Sequence, residues 1–254
     1  MNGTLKGRVA LVTGGGRGIG RAVCLGLAEQ GALIAVLARS ADQVRETVEH
    51  IGGSPGEALA VPADVSDPSQ VEAALTAIGD RWGPVEMLVN NAAVVWPLGP
   101  SADVDASQWA AAINVNVTAA ARLSFMVLPG MLARGWGRIV NVSSGIAARP
   151  AAMLRANAYA TSKAALEAHT LNLAAELAGS GITVNVFRPG SVDTAMQAWI
   201  RDQNPAQIGT ALHQQFVGNY RQGTLLTPSQ SAASLLRRLP GQENGQIWAA
   251  SDPP

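Results

Sequence analysis

The sequence predicts an α/β protein with a doubly wound parallel sheet of about seven strands and helices on both faces. Short apolar runs rich in β-branched residues alternate with longer segments of helical periodicity along the 254-residue chain, which is the order of repeated βαβ units. The apolar runs are nearly continuous, as strands buried on both faces require. The predicted strands are residues 8–13, 33–37, 58–61, 85–89, 138–142, 183–187 and 246–249, and the predicted helices are residues 18–30, 41–50, 67–81, 105–133, 156–178 and 228–238.

Helix boundaries and helix composition support this division. Ser66 or Asp67 before Pro68 opens one helix, since proline is favoured in the first helical turn. The segments 105–133 and 156–178 are rich in alanine, which fits ordinary packing against the sheet. It also fits a four-helix interface between subunits, and on that reading we expect a homodimer or homotetramer.

One long segment is irregular in the sequence. Residues 195–225 mix proline, glycine and aromatic residues over a length that is too great for a plain connection. We expect a substrate-binding lid there, embedded in the single domain that residues 1–254 form.

Composition restricts the classes of partner. The chain is 48% hydrophobic and 14% charged, with 18 basic and 18 acidic residues, so whole-chain disorder and electrostatic binding of nucleic acid are excluded. Cys24 is the only cysteine, which suits the cytoplasm. The apolar stretch 110–133 is interrupted by Asn114, Arg122 and Pro129, so no membrane span is expected. A small-molecule substrate is the expected partner.

A glycine-rich turn follows the first predicted strand and opens the first predicted helix. Glycine permits positive φ and lets the backbone approach a pyrophosphate, whose charge then meets free N–H groups at the helix N-terminus. Within a βαβ unit this pattern predicts a dinucleotide site. The predicted contacts are Gly14, Gly16, Arg17, Gly18, Ile19 and Gly20.

The end of the second strand predicts which dinucleotide is bound. NAD sites usually carry a carboxylate there, whereas this chain has Arg39 and Ser40. Arg39 stands where a 2′-phosphate would lie, and Arg17 could reach the same group, because guanidinium groups pair well with phosphate. The sequence therefore favours NADP(H), with NAD(H) as the alternative.

Polar residues follow the third and fourth strands at the same edge of the sheet. Asp64 and Val65 are predicted to contact the adenine, with helix capping as the alternative role of Asp64. Asn91 and Ala92 are expected to contact the cofactor, while Asn90 is expected to brace the glycine turn.

Tyr159 and Lys163 are the strongest catalytic candidates. They are four residues apart on a predicted helix, so the ammonium group lies within reach of the phenol and favours its ionised form. Ser143 and Ser144 end the fifth strand at the same edge, where a hydroxyl can bind a carbonyl oxygen. No G-x-S-x-G hydrolase motif occurs, and the spacing of the three histidines does not predict a metal site.

From about residue 5 to residue 194, the chain resembles the short-chain dehydrogenase/reductase family, in particular its NADP-dependent members similar to 3-oxoacyl-ACP reductases. The resemblance is carried by the ordered motifs TGGGRGIG, NNAA, VNV, SS, YATSK and RPG. The resemblance implies a Rossmann fold and hydride transfer between nicotinamide and a carbonyl or alcohol. It assigns the proton transfer to Tyr159, the lowering of the tyrosine pKa and ribose binding to Lys163, and the substrate oxygen to Ser144. It gives Asn116, preferred to Asn114, a water-linked proton path. The resemblance also implies nicotinamide contacts from Pro189, Gly190, Val192 and Thr194.

The substrate and the reaction leave alternatives open. A hydrophobic pocket is one hypothesis, and packing of the lid by the same residues is the other. The candidates for this pocket, besides Ser144, are Trp96, Met153, Leu154, Met196 and Trp199. The alternative to a reductase is a catalytically silent dinucleotide sensor or regulatory subunit on the same fold.

Overall fold

The fold is a seven-stranded parallel sheet between two layers of helices. The computed structural model describes residues 5–252, so the first four and last two residues of the predicted domain lie outside the described residues. The strands are β1 (Val9–Thr13), β2 (Leu33–Ala38), β3 (Glu57–Pro62), β4 (Met87–Asn90), β5 (Gly137–Val142), β6 (Ile182–Arg188) and β7 (Ile247–Ala249). Their spatial order is β3-β2-β1-β4-β5-β6-β7, and every pair is parallel. The predicted fold class is confirmed.

The helices cover both faces of the sheet and enclose a core on each. The helices are α1 (Gly18–Glu29), α2 (Ala41–Ile51), α3 (Pro68–Trp82), α4 (Ala106–Ile113), α5 (Ala119–Arg134), α6 (Asn157–Glu176), α7 (Ala195–Arg201), α8 (Pro205–Ile208), α9 (Thr210–Arg221) and α10 (Pro228–Arg238). Adjacent residues of β1 point to opposite faces, so Leu11 joins one core and Val12 the other, both fully buried. This double burial explains the continuous apolar strands in the sequence.

The predicted helix 105–133 contains a break in its hydrogen-bonding pattern. α4 and α5 are joined by a π-helical turn, Asn114–Thr118, which contains the buried polar side chain of Asn116. By length and composition, the helical run Ala106–Arg134 is apolar enough to cross a membrane, contrary to the sequence-based expectation. In this fold Leu123 and Met131 of the same run pack into the core beside the sheet.

The segment 195–225 is helical rather than irregular. α7, α8 and α9 occupy most of it, and the side chains of Thr194 and Asn204 cap the first two of these helices. Local caps and turn residues, rather than a long apolar periodicity, define such short helices, so their signal in the sequence is weak.

The strand order reverses between β1 and β4. Successive connections run outward from this point in opposite directions, which leaves a crevice beyond the carboxyl ends of the two strands. The predicted site residues follow the carboxyl ends of these strands and of β2, β3, β5 and β6.

Candidate active site

A single cavity of about 960 Å³ lies along the carboxyl ends of the strands. It gathers predicted residues from six separate segments of the chain. Those that line it are Gly14, Gly16, Arg17, Gly18, Ile19, Arg39, Ser40, Asp64, Val65, Asn91, Ala92, Ser144, Met153, Tyr159, Lys163, Pro189, Gly190, Val192, Thr194 and Met196.

The glycine turn has the geometry of an anion cradle. Gly14 and Gly18 have φ angles of +64° and +55°, which side chains other than glycine rarely adopt. Gly20 does not line the cavity; a Cβ there would lie 2.3 Å from the Gly14 carbonyl oxygen, so glycine is required for close packing of α1 on the turn. Arg17 precedes α1 without capping it through its side chain. The first N–H groups of the helix are therefore available to a phosphate.

Asn91, rather than Asn90, braces the turn. Its Nδ2 donates to the carbonyl oxygens of Thr13 and Gly14, at 2.9 and 3.3 Å. Asn90 points into the core, where its Nδ2 donates to Asn141 Oδ1 at 2.8 Å. The prediction for Asn90 is wrong because its side chain lies on the face of the sheet that α5 covers, where its Nδ2 also donates to Ala120 O at 3.2 Å and Ser124 Oγ at 3.3 Å.

Arg21 holds the same turn from the other side, a role that the sequence analysis missed. Its Nε and Nη2 donate to the Gly16 carbonyl oxygen at 3.1 and 2.6 Å, and its Nη2 pairs with Glu46 at 2.7 Å. The arginine thus ties the turn to α2. The TGGGRGIGR stretch contained it, but nothing in the sequence showed which carbonyl it would reach.

The part of the cavity beside the ends of β1 and β2 carries two exposed arginines. Arg17 and Arg39 both line the cavity and are exposed to solvent. Asp64 Oδ1 accepts hydrogen bonds from the backbone N–H and the hydroxyl of Ser66, at 2.8 and 2.6 Å. The capping alternative for Asp64 is wrong, because Asp67 caps α3 through Ser69 N at 2.9 Å.

Ser144, Tyr159 and Lys163 meet in the middle of the cavity. Burial raises the pKa of Tyr159, and a side-chain hydrogen bond with Ser144 opposes that rise. Lys163 Nζ lies 5.7 Å from the centre of the Tyr159 ring and donates to the Val142 carbonyl oxygen at 2.8 Å. Burial lowers the pKa of Lys163 to about 8, with Glu167 acting in the opposite direction. The net change in the pKa of Tyr159 is therefore upward, whereas the sequence predicts a lowering by Lys163.

Asn116 lies behind the cavity rather than on its wall. It is 1% exposed and sits in the π-helical turn between α4 and α5. Its Oδ1 accepts from Val94 N at 2.8 Å, and its Nδ2 donates to Val94 O at 2.8 Å and to Ser162 Oγ at 3.0 Å. The side chain therefore fastens the wall segment that follows β4 to the helix that carries the tyrosine.

The segment after β6 forms one wall of the cavity. Gly190 has φ +77°, which lets the chain turn directly after β6. Val192 pairs with Leu226 through an isolated bridge, and Thr194 caps α7 with its hydroxyl accepting from Gln197 N at 3.5 Å.

The predicted hydrophobic pocket is only partly right in its residues. Met153 and Met196 line the cavity, whereas Leu154 is 68% exposed and lies outside it. Trp96 packs in a separate small cluster, and Trp199 lies on the outer side of α7 at 38% exposure. Consecutive residues in a turn or helix point to different sides, so proximity in sequence misassigned these three. The sequence did not indicate that Val95, Ile146, Ile200, Gln215 and Phe216 also line the cavity.

No group of three or more His, Cys, Asp or Glu residues that could hold a metal ion occurs within residues 5–252. The chemistry of the cavity is that of hydroxyl, amine and backbone groups around a glycine turn.

The comparisons identify the class of protein to which this chain belongs. The family model described as short chain dehydrogenase matches residues 8–205, and the chain belongs to that family. It is an oxidoreductase of alcohol and carbonyl groups that uses a nicotinamide dinucleotide.

Three similar proteins illustrate the range of the family. The 3-oxoacyl-[acyl-carrier-protein] reductase FabG of Vibrio cholerae is 37% identical over 199 residues, which cover 78% of this chain and 79% of that protein. The structure of a variant actinorhodin polyketide ketoreductase with NADPH is 31% identical, with a TM-score of 0.84 and coverage of 98% of this chain and 97% of that chain. The structure of NAD⁺-bound xylitol dehydrogenase is 25% identical, with a TM-score of 0.84 and coverage of 97% and 98%.

Proposed function

We propose that this protein is an NADP(H)-dependent reductase that converts a ketone or aldehyde to an alcohol, and catalyses the reverse oxidation. The observation that carries the proposal is that Ser144, Tyr159 and Lys163 line one cavity beside a glycine turn whose helix has no side-chain cap, with Lys163 one helical turn from Tyr159. A sensor that binds the dinucleotide without turnover would need the glycine turn and the cavity, but it would not need Ser144 and Tyr159 beside them.

The residues of this chain fit a dinucleotide and a carbonyl substrate. The N–H groups of the turn at Gly14–Gly18 and of the start of α1 would hold the pyrophosphate, and Lys163 would hold the nicotinamide ribose. When bound, the nicotinamide supplies the hydride for reduction or accepts it in oxidation.

The proton transfer is assigned to Tyr159. Its hydroxyl donates a proton to the carbonyl oxygen during reduction and takes it back during oxidation. Ser144 hydrogen-bonds the same oxygen and orients it toward the phenol. Burial raises the pKa of Tyr159, so the phenol carries the proton that reduction requires at neutral pH.

The preference for NADP(H) rests on Arg17 and Arg39. Both are exposed on the cavity wall, and no carboxylate follows β2, so a 2′-phosphate would meet two guanidinium groups. We expect Arg39→Asp to raise the KM for NADPH by about 10-fold or more and to change that for NADH little, since charge-assisted hydrogen bonds contribute about 1.5–3 kcal/mol. Arg237→Asp, an exposed change on α10 outside the cavity, is the matched control. Equal losses with both dinucleotides would remove the preference.

The central experiment follows the absorbance of reduced nicotinamide while a panel of ketones and aldehydes is added. We expect NADPH oxidation with at least one carbonyl compound, and a loss of about 100-fold or more in Tyr159→Phe with NADPH binding retained. Tight NADPH binding without turnover on the whole panel would favour the sensor. Turnover by Tyr159→Phe at the wild-type rate would overturn the assignment of the proton donor.

The substrate is proposed to bind beneath a lid formed by α7, α8 and α9. Met196, Ile200 and Phe216 of this region face the cavity opposite Ile146 and Met153. An apolar group next to the reacting carbonyl would bury well against these side chains. A preference for aliphatic and aromatic ketones over polar ones is therefore expected in the panel.

A second copy of the chain is proposed to cover the exposed face of α5 and α6. Phe125 is 56% exposed and Leu132 is 50% exposed on α5, and Leu171 is exposed on α6. Arg122 Nη1 and His169 Nε2 on these helices are buried without hydrogen-bond partners. Light scattering should report a dimer or tetramer, and Phe125→Asp should shift it toward monomer. A wild-type monomer at micromolar concentration would contradict the proposal.

A further inference from the structure

We propose that Glu167 is a positioning residue of the active site: clamped by Arg188 and Ser143, it fixes α6 against the ends of β5 and β6 and supplies the negative charge that faces the Lys163 ammonium. This inference concerns the electrostatics of Lys163 and rests on the proposed function only for its effect on turnover.

The clamp consists of three short contacts around one buried carboxylate. Glu167 is 8% exposed, and its Oε1 accepts from Ser143 Oγ at 2.8 Å. Arg188 donates through Nε to Oε1 at 2.9 Å and through Nη2 to Oε2 at 2.7 Å. This bidentate geometry fixes both the position and the orientation of the carboxylate.

The three clamped residues lie next to site residues on three different elements. Ser143 precedes Ser144 at the end of β5, and its N–H donates to the Phe187 carbonyl oxygen at 2.7 Å. Arg188 ends β6 and precedes the Pro189–Gly190 turn. Glu167 is one helical turn beyond Lys163 on α6. A shift of the carboxylate would therefore move the serine, the lysine and the nicotinamide wall together.

Lys163 also contacts the carboxyl end of β5. Its Nζ donates to the Val142 carbonyl oxygen at 2.8 Å, one residue before the serine that Glu167 holds. The lysine side chain is 2% exposed, so water contributes little to its solvation. The charge of Glu167 is the neighbouring countercharge along the helix, and it acts against the burial that lowers the pKa of Lys163.

Few other charges lie on the elements that pack against this part of α6. The α6 helix itself carries Tyr159, His169 and Glu176 besides the lysine and Glu167. β6 contributes Arg188 and β5 contributes Arg138, which lies at the opposite end of the strand. Neither α4 nor the π-helical turn carries a charged side chain. Burial is thus the main influence on the pKa of Lys163, and Glu167 is the charge that opposes it.

The two halves of the ion pair are predicted to act in opposite directions on Lys163. Glu167→Gln removes the countercharge and leaves the Arg188 cation, so the lysine should lose its proton at lower pH. Arg188→Met removes the cation and leaves the carboxylate, so the lysine should keep its proton to higher pH. Each change is expected to move the midpoint by about one pH unit, because Glu167 lies one helical turn from Lys163 in a poorly solvated site and Arg188 pairs directly with that carboxylate.

The chain contains only two lysines, Lys6 and Lys163, which allows a direct measurement. Lysine labelled with ¹³C at Cε gives two NMR signals, and their pH titration follows each ammonium group separately. Lys6, which is exposed, is the internal reference. Glu57→Gln is the matched control, since it breaks the Glu57–Arg81 ion pair at the surface, where both side chains are 61% exposed.

The expected result is a downward shift of the Lys163 midpoint in Glu167→Gln, an upward shift in Arg188→Met, and none in Glu57→Gln. Arg188→Lys, which keeps the positive charge, should restore a midpoint near that of the wild type. Shifts of the same sign in the first two variants, or no shift in either, would overturn the proposal. A purely structural role of the clamp would not make the two variants shift the Lys163 midpoint in opposite directions.

Two further variants cover the risk that a single buried charge unfolds the protein. Glu167→Gln combined with Arg188→Met removes both charges, and its midpoint should lie between those of the single variants. Ser143→Ala loosens the clamp without changing the charge. A double variant whose midpoint lies outside that interval would contradict the electrostatic role. The titration is independent of turnover, so an inactive enzyme with the expected shifts would contradict the proposed function alone.

Discussion

Replacing Lys163 by methionine is expected to stabilise the fold while abolishing activity. Burial lowers the pKa of Lys163 from 10.5 to about 8, and at about 1.4 kcal/mol per pH unit this difference corresponds to a cost of about 3 kcal/mol for burying the ammonium group. Loss of the hydrogen bond to Val142 O removes about 1 kcal/mol of stabilisation. Glu167 keeps Arg188 and Ser143 as partners. We therefore expect a net gain of about 2 kcal/mol in the free energy of unfolding near neutral pH.

The pH dependence gives this prediction a distinctive signature. The folded-state pKa of Lys163 lies below the unfolded-state value, so the unfolded chain binds more protons between about pH 8 and pH 10.5. The lysine's contribution to stability therefore rises with pH across this window, and Lys163→Met lacks that rise. Tyr159 has the opposite sign, since its pKa is raised in the folded state and its contribution is lost only above about pH 10.

Urea unfolding from about pH 7 to pH 9.5 measures both free energies in the range where the lysine dominates. The gap between Lys163→Met and the wild type should narrow as the pH rises. Lys6→Met, at the other lysine of the chain, should follow the wild-type curve. Parallel curves for Lys163→Met and the wild type, or a variant that is less stable throughout, would refute the reasoning that burial destabilises the charged lysine.

Three further changes test the cradle and the lid. Gly20→Ala should abolish the rise in melting temperature on adding NADPH, since its Cβ would lie 2.3 Å from Gly14 O. Gly79→Ala, at an exposed helical glycine with open space around it, should retain that rise and increase the free energy of unfolding by up to about 1 kcal/mol. Phe216→Ala should raise the KM of apolar ketones several-fold, and Trp199→Ala, outside the cavity, should leave it unchanged; the reverse order would place the pocket elsewhere. Arg155→Ala should raise the substrate KM with kcat less affected, because Arg155 Nη1 donates to two carbonyl oxygens of α8 at 2.7 and 2.8 Å; an unchanged KM would show that this contact does not hold the lid.

The sheet could be predicted because its signal is local. Each strand is a short apolar run, and the strands other than the edge strands β3 and β7 are buried on both faces. The predicted bounds differ from the observed ones by one or two residues, as for Met87–Asn90 against the predicted 85–89. The glycine turn could also be predicted, because Gly14 and Gly18 adopt positive φ angles that favour glycine, and the residue type therefore indicates the backbone conformation.

The parts that the sequence could not predict depend on contacts between distant residues. The bond between Glu167 and Arg188 joins positions 21 residues apart on a helix and a strand, and neither position is unusual by itself. Trp199 was predicted to line the pocket, but it lies on the outer side of the short helix α7. Seven residues are too few for a hydrophobic periodicity to show which side of a helix faces the cavity. Residue type predicted the chemistry, but the direction of each side chain required the fold.

The four predicted catalytic residues are therefore not equivalent. Ser144, Tyr159 and Lys163 reach the cavity, where each can contact substrate or cofactor. Asn116 acts through the backbone, because both polar atoms of its side chain form hydrogen bonds with the backbone of Val94. The extra residue of the π-helical turn lets an otherwise regular helix direct this side chain inward. Because its Nδ2 also donates to a hydroxyl on α6, a change at this position displaces the wall and the tyrosine helix together, and a loss of activity there does not require Asn116 to touch the reacting atoms.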